Sequence, residues 1–284
     1  MHLDVVELRR FYYATRLGRL VQQVLTARLR ALWPATQGQC VAGFGFAAPF
    51  LRPYLPEATR VLCLMPAQQG VVPWPGEGPN VSTLIEETLW PVAADSVDRL
   101  LVVHGLETCE RPQALLSEIW RVLTPGGRAV FMVPNRAGLW ARREGTPFGF
   151  GRPYTTGQLE RTLADQRFAA ERHTGALYMA PKHDGFWFRL ASPIERLGTR
   201  LDLQRLAGVV LVEATKVVYI TPKNGLRERA RQPLRVLEGL APPVPAPPKP
   251  ATGRVRSELR LPPTARRTTL AFAASRTKIC FSRA

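Results

Sequence analysis

WPVAADSVDRLLVVHGLETCERPQALLSEIWRVLTPGGRAVFMVPN, running from Trp90 to Asn135, switches between two periodicities. Arg99–Val103 (RLLVV) and Arg128–Val133 (RAVFMV) are short apolar runs of the kind that form buried strands. Between them, Pro112–Leu123 (PQALLSEIWRVL) places Leu115, Ile119 and Leu123 on one stripe, with Leu116 and Trp120 beside it. Pro112 suits a first helical turn, where its missing N–H costs nothing. The TPGG that follows stops the helix and returns the chain to extended backbone. Strand, helix and strand in this order predict a β-α-β unit.

The same alternation extends in both directions. Cys40–Phe44 (CVAGF) and Arg60–Met65 (RVLCLM) precede the unit as strands, and Gly175–Met179 (GALYM) and Gly208–Ile220 follow it. Short apolar strands separated by helices imply a sheet covered on both faces, the doubly wound α/β arrangement. Upstream, Asp4 is suited to cap a helix, and apolar residues from Val5 to Leu25 recur at helical spacing; residues 4–33 are expected to be helical, ended by Pro34. Downstream, Thr155 and Thr156 are placed to cap a helix spanning Gln158–Phe168. Ala241–Gly253 (APPVPAPPKPATG) is proline-rich and favours extended backbone. We therefore expect a folded domain over residues 1–222 and a disordered Pro/Arg-rich tail over 223–284.

Charge follows the same division. The net charge is +17, but residues 223–284 hold 14 Lys/Arg against 3 Asp/Glu, so the basicity is mostly a property of the tail. Such a tail admits nucleic acid as a partner, although no RNA-binding motif accompanies it. Cys40, Cys63, Cys109 and Cys280 form no CxxC pair and no metal-ligand spacing, which fits reduced thiols and no metal. Charge comes too early at the N-terminus for a signal peptide, and no apolar run has the roughly 18–20 residues of a membrane span. The expectation is a cytoplasmic protein with no membrane span.

Cys40–Tyr54 (CVAGFGFAAPFLRPY) has the form of a strand entering a glycine turn, with Gly43 and Gly45 spaced G-x-G and the small Ala48 at the third position of a dinucleotide fingerprint. Together with Trp90–Asn135, the turn resembles the class I S-adenosylmethionine-dependent methyltransferase family. The likeness lies in the helix leading into RVLTPGG, the HGLE after the preceding strand, and the strand ending in PN. The resemblance covers Val5 to Pro222 and implies a Rossmann-like, mostly parallel seven-stranded sheet with helices on both faces.

It further implies S-adenosyl-L-methionine as cofactor, with its methionine part over Gly43, Gly45 and Ala47. The family's ribose-binding carboxylate after the second strand is absent. Met65 and Pro66 stand in its place, with Gln68 offering an amide that cannot match a charge-assisted acceptor; the loss is worth roughly 1.5–3 kcal/mol. Glu86 corresponds to the acid facing the adenine amine, or is an exposed loop residue. His104 lines cofactor and substrate, or holds its turn through the ring nitrogens; it is the best candidate for a base. In Pro147–Tyr154 (PFGFGRPY), Arg152 and Tyr154 are candidates for holding an acidic substrate group, the alternative being a surface loop held by aromatic packing. The implied activity is methyl transfer to an unidentified acceptor. A catalytically inactive binding protein of the same fold and an RNA-directed protein are the other readings.

Overall fold

The computed structural model describes residues 3–143, 145–181, 185–201 and 203–218; the expected tail lies outside them. Chain order gives α1 (Val5–Arg9), a π-helical turn (Arg10–Ala14), α2 (Arg16–Leu32), β1 (Cys40–Gly45), α3 (Ala48–Leu51), β2 (Arg60–Pro66) and β3 (Ser82–Ile85). Then come β4 (Val97–Val103), α4 (Pro112–Val122), β5 (Leu123–Pro134), α5 (Thr156–Asp165), β6 (Phe168–Ala176), α6 (Gly185–Arg200) and β7 (Val209–Lys216).

The strands form one seven-stranded sheet in the order β3-β2-β1-β4-β5-β7-β6. β1 pairs in parallel with β2 and β4, and β4 with β5, whereas β7 runs antiparallel to both β5 and β6. This is the expected Rossmann-like architecture. Side chains leave each strand alternately to the two faces. Leu101 and Val103 join the cluster under α1, α2 and α3, while Leu100 and Val102 join the one under α4 and α5. Burial on both faces explains why these strands read as continuous apolar runs.

α2 buries Leu17, Val21, Leu25, Leu29 and Leu32 as one stripe, and the Thr15 hydroxyl caps it by accepting from the Gly18 N–H. Asp4 caps α1 in the same manner. The expected single helical region is thus two helices with a π-helical turn between them. α4 starts at Pro112 as expected, and α5 begins with a capping box built by Thr155 and Gln158.

Three expectations are corrected. The strand expected at Gly175–Met179 is Phe168–Ala176, and the helix before it ends at Asp165. β6 is an edge strand with five successive exposed residues, so it lacks the apolar signature of a buried strand. β3, four residues with two of them exposed, gave no strand signal at all. The chain order reverses between β1 and β4, whose C-terminal ends therefore frame the crevice where doubly wound sheets bind ligands.

Candidate functional site

Gly45 closes β1 with φ +77°, and a Cβ there would lie 2.2 Å from the Val103 carbonyl oxygen. The Phe46 N–H donates to that same oxygen at 2.9 Å, so the turn is laced to the end of β4. A Cβ at Gly43 would meet the Cβ of Ala47 at 2.5 Å. Both glycines are thus required by close approach within the protein, whatever else they serve. Phe44, Phe46 and Ala47 are fully buried, with Phe44 stacked on Trp90 on one side of the sheet.

α1 and the π-helical turn lie across these strand ends. The Val5 N–H donates to the Gln69 carbonyl at 2.8 Å. The Tyr12 ring lies against Phe46, with centroids 5.8 Å apart, and meets Phe50 edge-on at 5.5 Å. Its hydroxyl is 2.7 Å from His104 Nε2. Burial, and then the charge of Glu107, raise the Tyr12 phenol well above its ordinary pKa, so it stays protonated and donates. His104 Nε2 is then the acceptor and Nδ1 carries the proton, 3.2 Å from Glu107 Oε1. Phe148, from the loop between β5 and α5, covers the imidazole at 4.9 Å.

His104 sits at φ +50°, a conformation held from three sides. Tyr12 takes its ring, and the Gln69 side-chain amide and the Thr108 hydroxyl both donate to its carbonyl, at 3.0 and 3.3 Å. The cluster is not fully satisfied. The 3.2 Å contact of Nδ1 with Glu107 is not a hydrogen bond, and His104 Nδ1, both Glu107 oxygens and Gln69 Oε1 are buried without a hydrogen-bond partner. Each such atom costs about 1–3 kcal/mol.

The sequence-derived candidates divide into two groups. Gly43, Gly45, Ala47, Met65, Pro66 and His104 converge on the crevice, all of them buried. Gln68 and Glu86 are exposed, and their neighbours Gln69 and Glu87 are the buried ones. Arg152 is exposed and contributes its backbone N–H to the Glu107 carbonyl at 2.7 Å. Tyr154 is half-buried against the α4–α5 cluster; burial and then the charge of Glu107 raise its phenol. Tyr12, Gln69 and Glu107 complete the cluster and were not candidates. Among the described residues no group of His, Cys, Asp and Glu is placed to hold a metal, and no helix is long and apolar enough to cross a membrane.

The residues fit S-adenosylmethionine in part. Gln69 Oε1 and the Glu107 carboxylate are buried acceptors lacking donors, and that cofactor's ribose hydroxyls and ammonium are donors. The space above the turn, however, is filled by Tyr12, Phe46 and Phe148, so a ligand there requires the π-helical turn that carries Tyr12 to move.

Comparison with known proteins points to the same fold. Residues 68–131 match the family model described as "Methyltransferase domain". No curated protein matches. Among solved structures, a Haloferax volcanii putative methyltransferase, in complex with the Trm112 methyltransferase activator, aligns at TM-score 0.54 and 16% identity, over 75% of this chain and 98% of that one. A SAM-dependent methyltransferase from Archaeoglobus fulgidus aligns at TM-score 0.52 and 16% identity, over 75% and 100%. A Thermotoga maritima SAM-dependent methyltransferase, described as a possible histamine N-methyltransferase, aligns at 0.51 and 16%, over 75% and 96%.

Proposed function

Taking as premise a chain that carries a methyltransferase domain on the class I S-adenosylmethionine-dependent methyltransferase fold, we propose that it binds S-adenosylmethionine at the β1–β4 crevice and transfers the methyl group to an acceptor. The observation that carries the reading is the buried set of unpartnered acceptors, Gln69 Oε1 and the Glu107 carboxylate, beside the glycine turn at the switch point of the sheet. When bound, the cofactor supplies an already activated methyl group, which leaves the protein to position and to exclude water. The backbone of Gly43–Ala47 and the side chains of Gln69 and Glu107 would hold it. The buried rings of Phe46 and Phe148 exclude water. His104 Nε2, free once Tyr12 withdraws, accepts the proton of an acceptor hydroxyl or amine, while Glu107 beside Nδ1 orients the ring and stabilises its charged form.

Two observations favour a second reading. The carboxylate after β2 is missing and aromatic side chains fill the crevice, as in a protein that has kept the fold as a binding scaffold without transfer. Incubation of the full chain with methyl-labelled S-adenosylmethionine and separated small-molecule, RNA and protein fractions of a cell extract distinguishes the two. Label in one fraction, lost in the Gly45→Arg variant, is the expected outcome. Cofactor binding without label in any fraction would establish the scaffold reading.

A further inference from the structure

A cavity lies beside α1 and the turn that follows it. Its volume is about 320 Å³, and its walls come from α1 and the turn after it (Arg9, Tyr13), α3 and its extension (Ala48, Arg52) and the β2–β3 loop (Val72, Pro73, Trp74), with Phe46 completing the lining. This size lies at the small end of ligand-binding cavities. The loop wall is built rather than loose. Asn80 accepts from the Trp74 N–H at 3.1 Å, the Trp74 carbonyl accepts from the Val81 N–H at 2.8 Å, and the Ser82 hydroxyl donates to the Val72 carbonyl at 2.6 Å. Trp74 is held 7% exposed, while Tyr13 keeps 41% of its surface open.

No carboxylate lines the cavity. Arg9 and Arg52 have no hydrogen-bond or ion-pair partner among the described residues, although six other arginines of the domain are paired with Glu57, Glu118, Glu195 or Glu213. The two guanidiniums act together on Tyr13, whose phenol burial raises and whose ionisation Arg52 and Arg9 favour. Three aromatic rings, one of them the Tyr13 phenol, and two unpaired guanidiniums therefore converge on a space with hydrogen-bond donors and no negative charge of its own. A guanidinium grips a carboxylate in fork geometry, and aromatic walls accept a planar ring by stacking.

We propose that this cavity is a binding site for a small aromatic carboxylate, its acid group held between Arg9 and Arg52 and its ring against Trp74 and Tyr13. The chemistry of this site does not rest on methyl transfer at the crevice, although the two share Phe46 and the turn that carries Tyr12 and Tyr13.

Tryptophan-fluorescence titration of the full chain tests it, using benzoate, 4-hydroxybenzoate and indole-3-acetate, with 4-hydroxybenzyl alcohol and inorganic phosphate as probes of ring and charge alone. At least one acid is expected to saturate, with the neutral alcohol and phosphate each about tenfold weaker or more. Arg52→Gln and Arg9→Gln should each weaken the acid by about tenfold without moving the thermal melt, because both side chains are exposed and unpaired. Glu77→Gln, next to the rim, should not weaken it. Failure of all three acids with folded protein, equal binding of the alcohol or of phosphate, or unchanged affinity in both arginine variants would overturn the proposal. A methyltransferase assay with no product would leave these titrations untouched.

Discussion

Tyr12 shows how one side chain ties the N-terminus to the centre of the sheet. Its hydroxyl is the only hydrogen-bond partner of His104 Nε2 among the described residues, and its ring closes the glycine turn. Tyr12→Phe keeps the ring and removes the bond, leaving a buried imidazole nitrogen unpartnered. A loss of about 1–3 kcal/mol in urea unfolding is expected. Because the bond holds the turn after α1 against the crevice, the same variant should bind S-adenosylmethionine more tightly, by up to about tenfold, as the closed arrangement becomes less favoured. Gly45→Ala should lose about 2 kcal/mol or more and weaken cofactor binding, since a side chain at φ +77° meets the Val103 oxygen. The glycine turn and His104 were legible because strand, turn and strand fix them in register. Gln69 was not. The turn after β2, in which the Gln69 and Gly70 N–H groups both donate to the Pro66 carbonyl, swings Gln68 out and Gln69 in, and a one-residue choice of that kind leaves no periodicity to read.

At the scale of elements, α4 was readable from its stripe and its proline, whereas its anchor was hidden. The Glu118 carboxylate accepts from the Trp90 N–H at 2.8 Å and from Arg121 at 2.6 and 2.9 Å, tying the chain before β4 to the helix. Arg121 first, and the Trp90 N–H after it, hold the Glu118 carboxyl below its ordinary 4.5. A lowered folded-state pKa means stability that is present above pH 4.5 and lost as pH falls through the folded value. The urea midpoint should therefore drop between about pH 5 and pH 3. Glu118→Gln should start lower at pH 6 and lose less on acidification; an acid limb identical to that of the unsubstituted chain would show that this carboxylate does not anchor the helix. The edge strands are the converse case. β3 was missed and β6 was placed too late because an edge exposes one flank, and with it goes the apolar pattern that marked β1, β4 and β5.

For the molecule as a whole, the sheet order follows from alternation of strands and helices, which the sequence displays from Cys40 to Lys216. What the sequence does not display is closure. That α1 and the turn after it cover the crevice depends on Val5 and Tyr12 meeting Gly70, Phe46 and His104, contacts between segments 34 to 92 positions apart, and amphipathic spacing in α1 predicts only that one face is buried. The central claim is that this closed crevice opens to S-adenosylmethionine. Calorimetric titration of the full chain with S-adenosylmethionine and S-adenosylhomocysteine tests it directly, with Gly45→Arg as the control and circular dichroism to show that both proteins are folded. Binding at about micromolar Kd, tightened by Tyr12→Phe and abolished by Gly45→Arg, is the expected result. No heat from either ligand up to about millimolar concentration would contradict the claim and leave the crevice a sealed part of the core.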